Sequence, residues 1–203
     1  MKLFDGGRAP NPRRVRIFLA EKGIEVPLVP VDMGAMEHRS DVVASRNPLR
    51  RLPVLELDDG TVLTESIAIC RYFEELHPEP PLFGTGAVGR AQVEMWQRRI
   101  ELHFLGAVAN AFRHIHPAMK EWEVPQVAEW GEANKPKALD FMALFDAELA
   151  TREFAAGDAF SVADITGLIA MDFLKPARIA VPEELAHLRR WHAAIAARPS
   201  AAA

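Results

Sequence analysis

A chain of 203 residues with a formal charge of -4, 49% apolar and 26% charged residues has the make-up of an ordinary soluble globular protein of one or two domains. At this length roughly 70% of the unfolded surface is buried on folding, so the core requires neither disulfides nor a structural metal. The acidic balance and the lack of a basic stripe interleaved with aromatics argue against bulk nucleic-acid binding, no apolar run approaches the ~18 residues of a membrane span, and the single Cys70 permits no internal disulfide. Met1-Lys2-Leu3-Phe4-Asp5 enters a strand-like run at once, which predicts no signal peptide; with the lone cysteine it predicts a reducing, cytoplasmic setting.

Residues 2–77 alternate between strands and helices. Lys2–Asp5 reads as a short strand. Asn11-Pro12 opens a helix running to about Lys22, because Asn is a good N-cap and Pro suits the first helical position; Gly23 stops it. Val26–Val31 is short and β-rich, and a weaker helical stretch covers Arg39–Arg46. Val54–Leu57 and Val62–Thr64 flank Asp58-Asp59-Gly60, a hairpin signal because Asp-Gly readily takes positive φ. Ser66–His77 is helical and Pro78 ends it.

Residues 78–86, Pro- and Gly-rich, read as a stiff linker. Residues 87–203 read as helix throughout. Val88, Ala91, Met95, Leu102, Leu105, Ala109 and Phe112 keep helical spacing along one long face. Ala138, Phe141, Met142, Phe145 and Leu149 do so on a second helix. Ser161-Val162-Ala163-Asp164 begins a third as a Ser-x-x-Asp start, and its apolar body Ile165–Leu174 predicts a central, buried helix. The last helix spans about Glu183–Ala197. The fold class is thus a small α/β domain joined to an all-α one.

Four segments in this order and spacing carry a resemblance: Arg14-Val15-Arg16-Ile17-Phe18-Leu19-Ala20-Glu21-Lys22-Gly23, Asn47-Pro48 with Leu52-Pro53-Val54-Leu55, Thr64-Glu65-Ser66-Ile67-Ala68-Ile69, and Phe160-Ser161-Val162-Ala163-Asp164. Over essentially its whole length the chain resembles the cytosolic glutathione S-transferase superfamily, bacterial branch. The resemblance implies a thioredoxin-like glutathione-binding domain over 1–77, an all-helical domain with a second-substrate pocket over 87–203, and a homodimer. It implies glutathione as co-substrate and a small apolar or disulfide second substrate, in detoxification chemistry.

The site residues follow from it. Pro53 by itself reads as the start of an edge strand. In the resembled family this proline follows a cis peptide bond, and the preceding residue, here Leu52, offers its backbone to the cysteinyl part of glutathione. Glu65 and Ser66 read as a helix opening, with Ser66 as cap; the same opening can bind a carboxylate while Glu65 pairs an ammonium. Those are the two charges of the γ-glutamyl end, where the family places them. Arg51 corresponds to a Lys or Gln that reaches the glycyl carboxylate, with His38 and Arg39 as further candidates for that end.

The sulfur side departs from the family pattern. The residue six before Val15 is Ala9, where many members carry Ser or Cys, and Phe4 stands where other classes carry Tyr. Ala9-Pro10-Asn11-Pro12 resembles the Thr-Pro-Asn segment of the nu class, where the asparagine is an active-site residue; this implies Asn11 as the catalytic candidate, capping the helix through its oxygen while its NH₂ donates to the glutathione sulfur, or else capping alone. Cys70 reads as buried and inert, and His114-Ile115-His116 is rejected as a metal site because an i,i+2 pair does not converge on one helix face. Trp96, Phe104, Phe112, Met119 and Trp122 could line a second-substrate pocket, although aromatics at helical spacing are more often plain core, and none is singled out. A noncatalytic interaction module on the same fold is the alternative to the enzyme.

Overall fold

The computed structural model describes residues Met1–Ala203, which divide into two compact units, Met1–Leu82 with Pro199–Ala203 and Phe83–Arg198. In chain order the first unit holds β1 (Lys2–Asp5), α1 (Pro10–Lys22), β2 (Leu28–Pro30), a 3-10 turn (Glu37–Arg39), α2 (Asp41–Ala44), β3 (Val54–Glu56), β4 (Val62–Thr64) and α3 (Ser66–Leu76). The sheet order is β2-β1-β3-β4; β1 and β2 are parallel, the other pairs antiparallel. This mixed sheet with helices is the thioredoxin-like arrangement.

Local sequence explains most boundaries. Gly23 takes a left-handed conformation (φ 64) and closes α1, its N–H bonded to Ala20 O and the next N–H, of Ile24, to Leu19 O. Gly60 (φ 86) turns the β3–β4 hairpin, where Asp59 accepts from the Thr61 N–H at 2.8 Å. One face of the sheet buries Phe4, Val31, Val43, Leu52 and Val54 together. The expected Arg39–Arg46 helix resolves into the 3-10 turn and the single turn of α2.

Two helix starts differ from expectation. α1 begins at Pro10 with Ala9 in the capping position, so Asn11 lies inside the first turn and does not cap. Pro10 fits there because the first helical N–H has no intrahelical partner to lose. α3 begins at Ser66 itself with Glu65 in the capping position, and no side chain caps the end.

The second unit holds α4 (Gly86–Arg99), a π-helical turn (Ile100–Leu105), α5 (Gly106–Ile115), a 3-10 turn (Pro117–Met119), α6 (Ala128–Leu149), α7 (Val162–Phe173) and α8 (Ala186–Ala196). α7 is buried from Val162 to Met171, as its apolar body predicted, and the predicted face of α6 is buried at every position. Ser161 and Asp164 form a capping box; Asp164 also accepts from the Ala155 N–H at 2.7 Å and the Trp191 Nε1–H at 2.9 Å.

The long face predicted for the first helix of this unit is corrected. Val88, Met95 and Leu102 are exposed, and Val93, Trp96, Ile100, Phe104, Val108 and Ala111 are buried instead. Two apolar stripes run along this segment, and the one that packs, from Val93 to Ala111, keeps helical spacing straight through the π turn. Of the expected face, Leu105 is buried as predicted. The apolar face on α4 is real, but it is solvent-facing.

Candidate functional site

Strand register assembles the candidate residues at one end of the first unit's sheet. Val54 pairs with Phe4 on one side and Thr64 on the other, so Leu52-Pro53 sits just beyond the last ladder pairs, level with Glu65. The Leu52-Pro53 bond is cis, as the resemblance implied. Leu52 is buried as a side chain and packs near Gly6, where an added Cβ would lie 3.2 Å from Leu52 Cδ1. Its backbone takes no part in the ladder.

The loop leading to Pro53 is held by a residue that the sequence reading left without a role. Asn47, 2% exposed, donates from Nδ2 to the Arg51 carbonyl at 2.8 Å and accepts from the Leu49 N–H at 3.1 Å. It clamps the four residues that carry Arg51 outward. Arg50 takes φ 53 here, a left-handed conformation that favours glycine. Arg51 is exposed. Beside it, burial first and then the Arg39 and Arg51 charges hold the His38 imidazole below its usual 6.5. The structure thus brings His38, Arg39 and Arg51 into one electropositive group.

Glu65 is exposed and adopts φ 65, ψ 117, a sparsely populated conformation for a side-chain-bearing residue. Ser66 follows it and is buried; its Oγ accepts from Arg14 Nη1 at 2.9 Å. This contact, 52 residues apart in sequence, ties α1 to the start of α3. Arg14 carries no functional signature of its own in the sequence. Its phase was the available signal, because Arg14 lies three and four residues before Ile17 and Phe18 on the buried stripe of α1.

The β1–α1 loop carries the remaining candidate. Asp5 accepts from the Gly7 N–H at 2.9 Å and pairs with Arg16, which fixes the loop over the helix start. Pro10 and Pro12 have no N–H, and the Arg13 N–H bonds to Ala9 O at 3.2 Å. Asn11, exposed, is therefore the first-turn residue that offers both a backbone and a side-chain donor. Phe4 is core, and burial drives the Cys70 thiol up to about 12, so it supplies no nucleophile.

In the helical unit Trp96 and Phe104 are core, with Phe104 stacked on Phe141 at 5.5 Å between ring centres, while Phe112, Met119 and Trp122 are half-buried. His114 and His116 each accept a backbone N–H at Nδ1, from Val127 and Ala118. A groove of about 460 Å³ between the π turn, α5 and α6, bordered by His103, Lys137 and Asp140, mixes charges of both signs.

Comparison with known proteins identifies the family. The family model described as glutathione S-transferase, N-terminal domain, matches residues 9–76, and that described as glutathione S-transferase, C-terminal domain, matches 98–199. Glutathione S-transferase 2 of Saccharomyces cerevisiae is 38% identical over 203 residues, covering 98% of this chain and 87% of the relative. Among solved structures, a glutathione S-transferase domain-containing protein of Marinobacter aquaeolei superposes with TM-score 0.95 at 41% identity, covering 98% and 99% of the two chains. Gtt2 of Saccharomyces cerevisiae superposes with TM-score 0.93 at 38% identity, covering 98% of each. The fold, the order of the site segments and both matched domains place this chain in the glutathione S-transferase family.

Proposed function

We propose that the first unit holds extended glutathione across the end of its sheet and activates the thiol beside Asn11. The chain is a glutathione S-transferase-like enzyme with glutathione as its co-substrate, as its family membership and the enzyme names of its relatives support. The Leu52 backbone pairs with the cysteinyl residue, Pro53 sets that edge, Glu65 pairs the γ-glutamyl ammonium, and Ser66 with the first N–H groups of α3 takes its carboxylate. Arg51, with His38 and Arg39 beside it, takes the glycyl carboxylate. The observation that carries the reading is the register Val54–Thr64, which sets Leu52-Pro53 level with Glu65-Ser66.

Asn11 donates to the glutathione sulfur, and the thiolate attacks an electrophilic carbon with loss of its leaving group, or one sulfur of a disulfide with expulsion of the other thiolate. The likeness of Ala9-Pro10-Asn11-Pro12 to the bacterial nu-class segment supports the disulfide branch. Half-buried Phe112, Met119 and Trp122 offer the helical unit an apolar seat for the second substrate. A homodimer is supported by the exposed apolar stripe of Val88, Met95 and Leu102. A cytoplasmic detoxification role belongs to the same reading; no helix is long and apolar enough to cross a membrane.

Calorimetry with glutathione, followed by the thiolate ultraviolet absorbance of the complex, tests the proposal. Binding with thiolate formed near neutral pH is expected. No binding at millimolar glutathione would leave the noncatalytic module as the reading.

A further inference from the structure

We propose that Arg14 is a positioning residue for the γ-glutamyl carboxylate of glutathione, acting through the Ser66 hydroxyl. The inference rests on the glutathione reading above and adds a residue to it.

Arg14 is 1% exposed, and a guanidinium keeps its charge in any protein setting. Burying that charge is costly unless the fold gains from it. Its Nη1 meets Ser66 Oγ at 2.9 Å, and a guanidinium can only donate. Ser66 is therefore the acceptor in this contact, and its single proton is directed elsewhere. Ser66 is also the first residue of α3, beside backbone N–H groups that have no partner inside the helix.

The consequence is a fixed polarity. Without Arg14 the hydroxyl rotates and can present either lone pair or proton to a ligand. With Arg14 behind it, one of the two lone pairs is occupied, and the proton is biased away from the cation toward the helix end. A hydrogen bond involving an ionised group is roughly twice as strong as a neutral one, so the cation also strengthens Ser66 as a donor. The field of Arg14 reaches along α3, where it opposes the effect of burial on Cys70. The Ser66 hydroxyl and the first N–H groups of α3 together favour an anion, and a carboxylate has two oxygens to share between them. The alternative role for Arg14, a plain clamp between α1 and α3, predicts no such ligand preference.

The test compares glutathione with the analogue carrying γ-aminobutyrate in place of γ-glutamate, which keeps the ammonium and lacks only this carboxylate. Kd for both ligands is measured by calorimetry in wild type, Arg14→Gln, Arg14→Lys and Ser66→Ala. Arg14→Gln is expected to reduce the preference for glutathione by about tenfold, equivalent to ~1.4 kcal/mol. Its affinity for the analogue stays within about twofold of wild type, a change under ~0.5 kcal/mol, and Arg14→Lys restores part of the preference. An intact preference in Arg14→Gln, or equal weakening of both ligands, overturns the proposal and leaves the clamp. Should Arg14→Gln fail to fold, Ser66→Ala decides: it must lose the same preference, and an unchanged preference overturns the proposal. A wild type that binds glutathione no better than the analogue also overturns it, whereas one that binds neither removes the glutathione reading itself.

Discussion

Replacing Asn11 tests the most exposed step of the mechanism. The α1 start is poor in donors because Pro10 and Pro12 lack N–H groups and the Arg13 N–H is already bonded to Ala9 O. What remains is the Asn11 N–H, its side-chain amide and the helix dipole. Lowering a thiol from ~8.5 to ~6.5 requires ~2.7 kcal/mol in favour of the thiolate. One neutral donor contributes ~0.5–1.5 kcal/mol and a helix N-terminus ~0.3–1, up to ~2 when partly buried. Asn11→Ala, which keeps the backbone donor, is therefore expected to raise the pKa of bound glutathione by about 0.4–1.1. Asn11→Asp places a like charge near the sulfur; at ~4 Å and an effective dielectric of ~20 that costs on the order of 4 kcal/mol, and thiolate disappears at neutral pH. The assay is thiolate absorbance against pH at saturating glutathione, with Kd measured in parallel. An unchanged titration in Asn11→Ala, or thiolate retained in Asn11→Asp, would refute Asn11 as the sulfur's donor.

Three further outcomes follow from the geometry. Glu65 adopts φ 65, a conformation worth ~1–3 kcal/mol of strain, and glycine's own chain entropy offsets ~0.5–1 of that. Glu65→Gly should leave urea stability unchanged or raised by about 1 kcal/mol while weakening glutathione binding; a clear loss of stability would sink the strain argument. His38 is held below 6.5 by burial and the neighbouring arginines, so the folded state favours its neutral form. Its contribution is fully present above that value and is lost as pH falls through 6.5 toward the folded pKa. His38→Gln should flatten the acid limb of stability against pH, and an identical limb would exclude His38 as its source. Cys70, with its thiol raised to about 12, should resist thiol reagents at pH 8 until the chain unfolds; rapid native-state labelling would contradict its burial.

The legible parts of this chain were those whose causes are local. Gly23 and Gly60 mark backbone that must turn left-handed, the alternation around Val54 and Val62 marks paired strands, and Ser161 with Asp164 marks a capped helix. The resemblance to a known family identified Leu52-Pro53 and Glu65-Ser66 as a pair, which neither segment announces alone. Helix starts were less legible: Asn11 and Ser66 are good caps by type, yet Ala9 and Glu65 hold those positions because the chain's approach to each helix is set by the sheet beneath it.

Sequence by itself determined the α/β and all-α composition and most breaks between elements, since each depends on neighbours a few residues away. Tertiary structure alone decided three things. Packing within the second unit chose which apolar stripe of the first long helix became core. The last residues, Pro199–Ala203, return to the first unit, where Arg13 donates to Ala201 O at 2.9 Å. Arg14 meets Ser66 across 52 residues. Each is a contact between distant segments, and no local preference encodes which partner a buried side chain will find.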